Sequence, residues 1–275
     1  MRNVFACLAF LLIAVSSSAE NAAAPRLSWQ TLQRGVELTS FTAGRLASGA
    51  PGRLYIVRVD PAAANVTVGL ASEGHGGPRT AADWSRTSGF SVVINAGMFQ
   101  TDHRSNVGYL RHGQHLNNAR WNDYQSVVAI GAPGGTPGNA LWLDLGDPAT
   151  RSQTTSYETV IQNLRLMTTT RRNVWSQSAR QWSEAALAID KRGRLLFLFS
   201  RAPYSMRNFT DFLLQLPLDA AGAMHLEGGP EASLSIHADG VDLDLAGSYE
   251  TGFWPDDSNV RQWPIPNVIG VMRAK

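Results

Sequence analysis

Apolar residues fall mainly into short runs bounded by Gly, Pro, Asn and Asp, the pattern of strands rather than of long helices. Segments 35–41, 54–60 and 66–71 predict three strands. Asp60-Pro61, followed by Ala62-Ala63-Ala64-Asn65, predicts a short hairpin loop between the second and third. Thr80 with Asp83 three residues on reads as a helix start. That helix delivers the chain to Val92-Val93-Ile94-Asn95-Ala96-Gly97-Met98-Phe99. Its β-branched run suits a central strand covered on both faces. The run breaks at Asn95 and Gly97 into the polar loop Gln100-Thr101-Asp102-His103-Arg104-Ser105-Asn106.

Further on, 107–110 and 114–117 flank His112-Gly113 as a tight hairpin. Segments 126–130 and 140–145 read as strands separated by a Gly/Pro-rich stretch, 131–138. Segment 156–167 is ambiguous: Tyr157, Val160, Ile161 and Leu164 fit a helical face, while its end fits a strand. Segments 185–190 and 194–200 form a hairpin through Asp190-Lys191-Arg192-Gly193. Asn208, with Asp211 three on, predicts a second helix cap, and Phe209, Phe212, Leu213 and Leu216 repeat at helical spacing until Pro217. Strands at 223–226, 233–237, 241–245 and 268–272 close the chain, the last preceded by a Pro/Asp-rich stretch, 254–266. Strands outnumber helices, with no regular βαβ alternation and no internal repeat. The fold class is therefore α+β: a single domain with a large, mainly antiparallel mixed sheet covered by a few helices.

Composition adds a compartment. Arg2, an apolar run at 4–15 and Ser17-Ser18-Ala19 read as an export signal over 1–19, followed by a linker-like 20–34 and the folded domain at 35–275. The apolar run is short of the ~20 residues a spanning helix needs. The expectation is an exported protein, periplasmic or extracellular, without stable membrane insertion after signal cleavage. Cys7 is the only cysteine and lies in that segment, so neither disulfides nor cysteine-bound metal hold the mature chain together. The 275 residues are 44% hydrophobic and 17% charged, as in a folded protein. A net charge of +2, without a basic stripe, gives no reason to expect nucleic acid.

The residues that could carry chemistry lie at two strand ends. One is Asn95 to Phe99 with the loop behind it. The other is Met224-His225-Leu226-Glu227-Gly228-Gly229-Pro230-Glu231-Ala232-Ser233, where an acid sits beside two glycines, able to meet a ligand with its carboxylate and with exposed N–H groups. His225 reads as a core or sheet-face histidine. Gly-x-Ser-x-Gly, the phosphate-binding Gly-x-x-x-x-Gly-Lys and His-Glu-x-x-His are all absent, which removes the local mechanics of serine hydrolases, nucleotidases and zinc peptidases. No cofactor is called for, and a divalent cation (Ca or Mg) on Asp102, Glu227 or Asn95 stays open.

Together the two strand ends bring a family into view. Asn95-Ala96-Gly97-Met98-Phe99, followed by Asp102 and by Val107-Gly108, resembles the signature Asn-Ala-Gly-Met-(Tyr/Phe), Asp, Val-Gly of the phosphodiester glycosidase family. Leu226-Glu227-Gly228-Gly229 with Ser233 looks like its Asp-Gly-Gly…Ser segment, and Asn267-Val268-Ile269-Gly270-Val271 like its closing strand. Ala188-Ile189-Asp190 with Gly193 and 195–199 parallels its hairpin. The resemblance covers 92 to the C-terminus. Three positions depart from it: Glu227 where the family has Asp, Gln162-Asn163-Leu164 where it has Ser-Gly-Pro, and Glu184 where it has Arg. Arg180, Arg171 and Arg201 are the candidates to replace that lost cation.

The resemblance implies a hydrolase cleaving a glycosyl phosphodiester in envelope or exopolysaccharide material. Such a reaction passes through an oxocarbenium-like state that needs a carboxylate. Glu227 and Asp102 are the candidate catalytic carboxylates and Asn95 the orienting amide. Gly97, His103, Arg104, Gly108, Gly228, Gly229, Ser233 and Arg201 are the candidate substrate contacts. The alternative is a non-catalytic saccharide- or glycopolymer-binding protein on the same fold, using aromatics such as Trp121, Trp175, Trp182 and Trp254; an envelope structural protein is a third reading.

Overall fold

A computed structural model describes residues 27–74, 76–131, 140–146 and 148–274. The export signal read at 1–19 and most of the Gly/Pro-rich stretch, 132–138, lie outside the described residues. In chain order the elements are β1 (Gln30–Gln33), β2 (Val36–Arg45), β3 (Pro51–Val59), β4 (Val66–Leu70), α1 (Ala81–Ser88), β5 (Phe90–Asn95), β6 (Leu110–His112), β7 (His115–Asn118), β8 (Ser126–Ile130) and β9 (Ala140–Asp144). A 3-10 helix, Pro148–Ser156, leads to β10 (Thr159–Asn163), β11 (Arg165–Met167), β12 (Trp182–Asp190), β13 (Leu195–Tyr204), α2 (Met206–Gln215) and β14 (Ala220–Gly228). A one-turn 3-10 helix, Gly229–Glu231, precedes β15 (Ser233–Ala238), β16 (Val241–Ala246) and β17 (Asn267–Met272).

Antiparallel pairing and few helices are as expected, but the strands divide among three sheets instead of one. They are a seven-stranded sheet, β1-β2-β3-β13-β12-β14-β11, and two five-stranded sheets, β7-β6-β10-β8-β9 and β16-β15-β5-β17-β4. The period of two along the strands explains the layering. Val57 and Val59 of β3, Leu187 and Ile189 of β12, and Phe197 and Phe199 of β13 face a central core shared with Val92 and Ile94 of β5. The intervening Ile56, Ala186, Ala188, Leu196 and Leu198 face α2 through Phe209 and Leu213. On the far side, Trp84 of α1 packs on Val93 and Val268. β5 lies between β15 and β17 and is buried along its whole length, which accounts for its unbroken apolar pattern.

Three expectations need correction, and one open reading, that of 156–167, resolves. β3 and β4 do not form a hairpin: β3 pairs with β2 and β13, whereas β4 pairs with β17 in a different sheet. The Asp60 turn, in which Asp60 Oδ1 accepts the Ala62 N–H at 3.0 Å, carries the chain across the core from one sheet to the facing one. β1 lies inside the stretch read as linker and pairs with β2. Segment 159–167 is strand, because Val160 and Ile161 pack on opposite sides of β10 in two different clusters. The cap of α2 is Ser205, whose hydroxyl accepts the Asn208 N–H at 3.2 Å, so the helix starts one turn before the Asn208 cap read from the sequence. Thr80 caps α1 as read, accepting the Asp83 N–H at 3.0 Å.

Candidate active site

β12 and β14 run antiparallel, with Glu184 opposite Gly228, Ala185 opposite Glu227 and Ala186 opposite His225. The register slips between the last two pairs, a bulge of the kind that re-aims side chains beside a site. His225, Glu227 and Gly228 border a cavity of about 430 Å³, together with Met98, Leu164, Trp175, Arg180, Trp182, Met206 and Glu250. β14 ends at Gly228, and the chain turns through Gly229 at φ 64°. A Cβ at Gly229 would lie 2.5 Å from Glu250 Oε2 and displace that carboxylate, and the left-handed φ by itself favours glycine. Asn95, at the end of β5, secures this turn: its Nδ2 donates to the Glu231 carbonyl at 3.0 Å and its Oδ1 accepts the Ser233 N–H at 2.7 Å.

Beneath the cavity lies a buried pair. Glu184 Oε1 meets His225 Nδ1 at 2.5 Å, and its Oε2 accepts the Trp182 Nε1–H at 2.7 Å. Both carboxylate oxygens thus face donors; burial pushes the Glu184 carboxyl up, and His225 and Trp182 oppose that push without cancelling it. Burial works to lower the His225 pKa, but the acids around it, Glu184 ahead of Glu227 and Glu250, together outweigh it and the net direction is up. Burial pushes the Glu227 carboxyl up to about 8; His225 and the Gly228 N–H oppose this, and Glu231 and Glu250 reinforce it. Glu231 is pushed up to about 7, by burial first and Glu250 after. Burial also raises Glu250, against the opposing charges of Arg180 and His225. The cavity therefore brings Glu227 and Glu250, both raised by burial, together with Arg180 and His225, and clustered perturbed acids are a usual physical mark of a functional site.

Residues 88–272, more than half of the chain, match the phosphodiester glycosidase family. The chain belongs to that family. Among solved structures it is similar to the zebrafish N-acetylglucosamine-1-phosphodiester alpha-N-acetylglucosaminidase catalytic domain, described as auto-inhibited by its pro-peptide, at 15% identity and TM-score 0.63, over 90% of this chain and 88% of that one. A hypothetical protein from Synechocystis is similar at 16% identity and TM-score 0.60, over 91% of this chain and 64% of that one. At these identities the likeness shows the fold. No protein among the curated ones matches the chain.

Within this phosphodiester glycosidase domain the residues singled out from the sequence separate. Glu227 and Gly228 border the cavity, while Gly229, Ser233 and Asn95 form the turn beside it. Asp102 does not border it. Its Oδ1 accepts the N–H groups of Arg104 and Ser105 at 2.9 and 2.8 Å, and its Oδ2 accepts the Ser105 hydroxyl at 2.6 Å, a bond that holds its carboxyl below the usual range. His103, at φ 52°, packs its exposed ring 5.5 Å from Phe99. Arg104 donates to the Gly76 carbonyl at 3.0 Å. The carbonyl of Gly108 accepts the side-chain amides of Asn106 and Asn118. Gly97 lies against Asn163 and Asn106, so it shapes the wall behind Met98 without lining the cavity itself.

Of the three arginines considered as replacements for the family's cation, only Arg180 borders the cavity. Arg201 donates to the carbonyls of Ala246, Asp257 and Asn259 at 2.7–2.8 Å and lines a separate 280 Å³ cavity. Arg171 donates to the carbonyls of Ala220 and Leu214. Trp175 and Trp182 wall the site, whereas Trp121 stacks on Tyr109 at 4.2 Å and Trp254 meets Trp263 edge-on. Among the described residues no group of three or more His, Cys, Asp or Glu is arranged to hold a metal ion. No helix among them is long and apolar enough to cross a membrane.

Two functional candidates are new. His225 stands two residues before Glu227 in one strand, a spacing that hints at a shared face. Glu250 had no local signal: it lies in a turn beyond β16, bridged to Trp182 and to Trp254.

Proposed function

We propose that this protein is an exported hydrolase that cleaves a glycosyl phosphodiester in envelope or exopolysaccharide material, with Glu227 and Glu250 as its two carboxylates. The observation that carries the proposal is their shared cavity and unequal surroundings. Glu227 stays protonated to about pH 8, pressed by burial and by neighbouring acids. Glu250 is raised by burial too, but opposed by the charges of Arg180 and His225. Paired carboxyls held in different protonation states are what acid-assisted glycoside hydrolysis requires.

In the reaction Glu227 donates its proton to the bridging oxygen as the bond from the sugar's anomeric carbon to that oxygen breaks, and a phosphomonoester departs. The Glu250 carboxylate stabilises the positive charge on the sugar and accepts a proton from the water that adds to the anomeric carbon. A reducing sugar and a phosphomonoester result. Trp175 and Trp182 present broad apolar walls suited to a sugar face. Arg180, exposed at the rim, attracts the anionic diester as it enters.

The test is incubation of purified protein with a panel of sugar-1-phosphodiesters. Release of free sugar, reduced at least 100-fold by Glu227→Gln and by Glu250→Gln, is the expected result; no release from any member overturns the reading. The tryptophan walls also favour a second reading, a saccharide- or glycopolymer-binding protein without catalysis. Calorimetric binding of the same compounds without turnover would select it.

A further inference from the structure

We propose that His225, clamped through Nδ1 by Glu184, presents its Nε2–H to the cavity as the anchor for the non-bridging phosphoryl oxygens of the ligand. The inference rests on the reading that this cavity takes a phosphodiester, and it assigns the group that holds the anion.

The geometry leaves the ring little freedom. His225 is 3% exposed and its backbone is set in β14 opposite Ala186. Nδ1 is bound to Glu184 at 2.5 Å, and Trp182 packs edge-on against the imidazole, ring centres 5.8 Å apart. Trp182 in turn donates to the other Glu184 oxygen, so the carboxylate cannot swing away. The ring borders the cavity, and with Nδ1 engaged, Nε2 is the nitrogen left for a ligand. A histidine fixed in orientation by a carboxylate at Nδ1 offers an accepting Nε2 when neutral and a donating Nε2–H as the imidazolium, the form that the neighbouring acids favour.

Charge complementarity makes this donor necessary. A phosphodiester is an anion, and the cavity region carries Glu227, Glu231 and Glu250. Neither Arg171 nor Arg201 reaches it, because their guanidinium groups are engaged by backbone carbonyls. Arg180 stands exposed at the rim. Deep in the site His225 is the group able to carry positive charge, its pKa raised by the acids that face it: Glu184 from β12, Glu227 from its own strand and Glu250 from the turn beyond β16. Glu184, which meets the cavity wall only through His225 and Trp182, acts as a positioning residue.

The experiment uses the folded chain and imidazole 15N NMR, with dimethyl phosphate as probe because it stays a monoanion across the accessible pH range. In the wild type at pH 7, Nε2 should be protonated, and dimethyl phosphate should shift its resonance and raise the titration midpoint of His225. Glu184→Gln should bring that midpoint down, and His225→Gln should weaken dimethyl phosphate binding about tenfold. An unprotonated Nε2 at pH 7, or a wild-type resonance indifferent to the probe, overturns the proposal even if the variants fail to fold. A response to dimethyl phosphate without any sugar release supports the anchor and sinks only the hydrolase reading. Full turnover in His225→Gln overturns the anchor alone.

Discussion

Glu184 and His225 meet at 2.5 Å across the β12–β14 pair, with side chains only 1% and 4% exposed. Removing one partner of such a pair leaves a buried polar or charged group uncompensated, whereas removing both does not. Glu184→Leu should therefore destabilise the fold by about 3–5 kcal/mol. The double variant Glu184→Leu/His225→Leu should be more stable than the sum of the single changes predicts, with a coupling of about 1–3 kcal/mol. Denaturant unfolding of the four proteins measures it, and additive single effects would show that the two groups do not act as a unit.

Glu227 makes stability depend on pH. Its folded-state pKa is about 8 against an ordinary value of 4.5. Below pH 4.5 it is protonated in both folded and unfolded chains. As pH rises towards 8 the unfolded chain ionises first, and the stability that the group contributes is progressively lost. Glu227→Gln should thus match the wild type near pH 4 and exceed it by about 1–3 kcal/mol near pH 8. Thermal unfolding of both proteins over that range checks this. On the proposed mechanism wild-type turnover also falls as pH passes about 8, when the acid loses its proton.

Asp102 and Glu227 should part company in activity. Both Asp102 oxygens are held by Arg104 and Ser105 of its own loop, and the residue does not border the cavity. Asp102→Ala is expected to retain turnover within about threefold while loosening the loop, against at least 100-fold loss for Glu227→Gln. Comparable losses in the two variants would place Asp102 at the chemistry.

What was legible in the sequence was local. The β-branched run of β5 announced a central strand, and the Thr80–Asp83 spacing announced a cap that the structure places at that residue. The Asp60 turn was legible as a turn, but nothing local says that the strands on either side belong to facing sheets. Glu227 stood out because an acid before two glycines at a strand end is unusual. His225 did not, because a histidine in an apolar strand looks like core until its partner is known, and Glu184 lies 41 residues away. Glu250 reaches the cavity only through the turn that bridges it to Trp182 and Trp254. Asp102 showed the opposite failure: its polar loop satisfies its own carboxylate, a local arrangement that sequence composition does not separate from a free acid.

Gly97 should tolerate no side chain. A Cβ there would come within 2.3 Å of Asn163 Oδ1 and 2.8 Å of Asn106 Oδ1. Neither amide can turn aside cheaply, because Asn163 Nδ2 donates to the Ala96 carbonyl and Asn106 Nδ2 to that of Gly108. Gly97→Ala should cost about 1–3 kcal/mol as overpacking. Gly74→Ala, where the added atom meets nothing within 4 Å, serves as the control and should be close to neutral. Equal denaturation midpoints for the two variants would refute this account of Gly97.

Asn95 offers a test in which a single proton decides the outcome. Its Nδ2 donates to the Glu231 carbonyl and its Oδ1 accepts from Ser233, in a position 1% exposed. Asn95→Asp keeps the shape and the Ser233 bond but turns an oxygen towards the Glu231 carbonyl, where only a protonated acid can still donate. Burial and that carbonyl both favour the neutral form, so the folded pKa of the introduced acid rises above its unfolded value. Its stability should approach that of the wild type at low pH and fall by about 1–3 kcal/mol as pH rises towards neutrality. Because Asn95 holds the turn that follows Glu227, turnover at neutral pH should fall together with stability. A variant that is equally stable at pH 4 and pH 7 would show that the Asn95–Glu231 bond does not hold the turn.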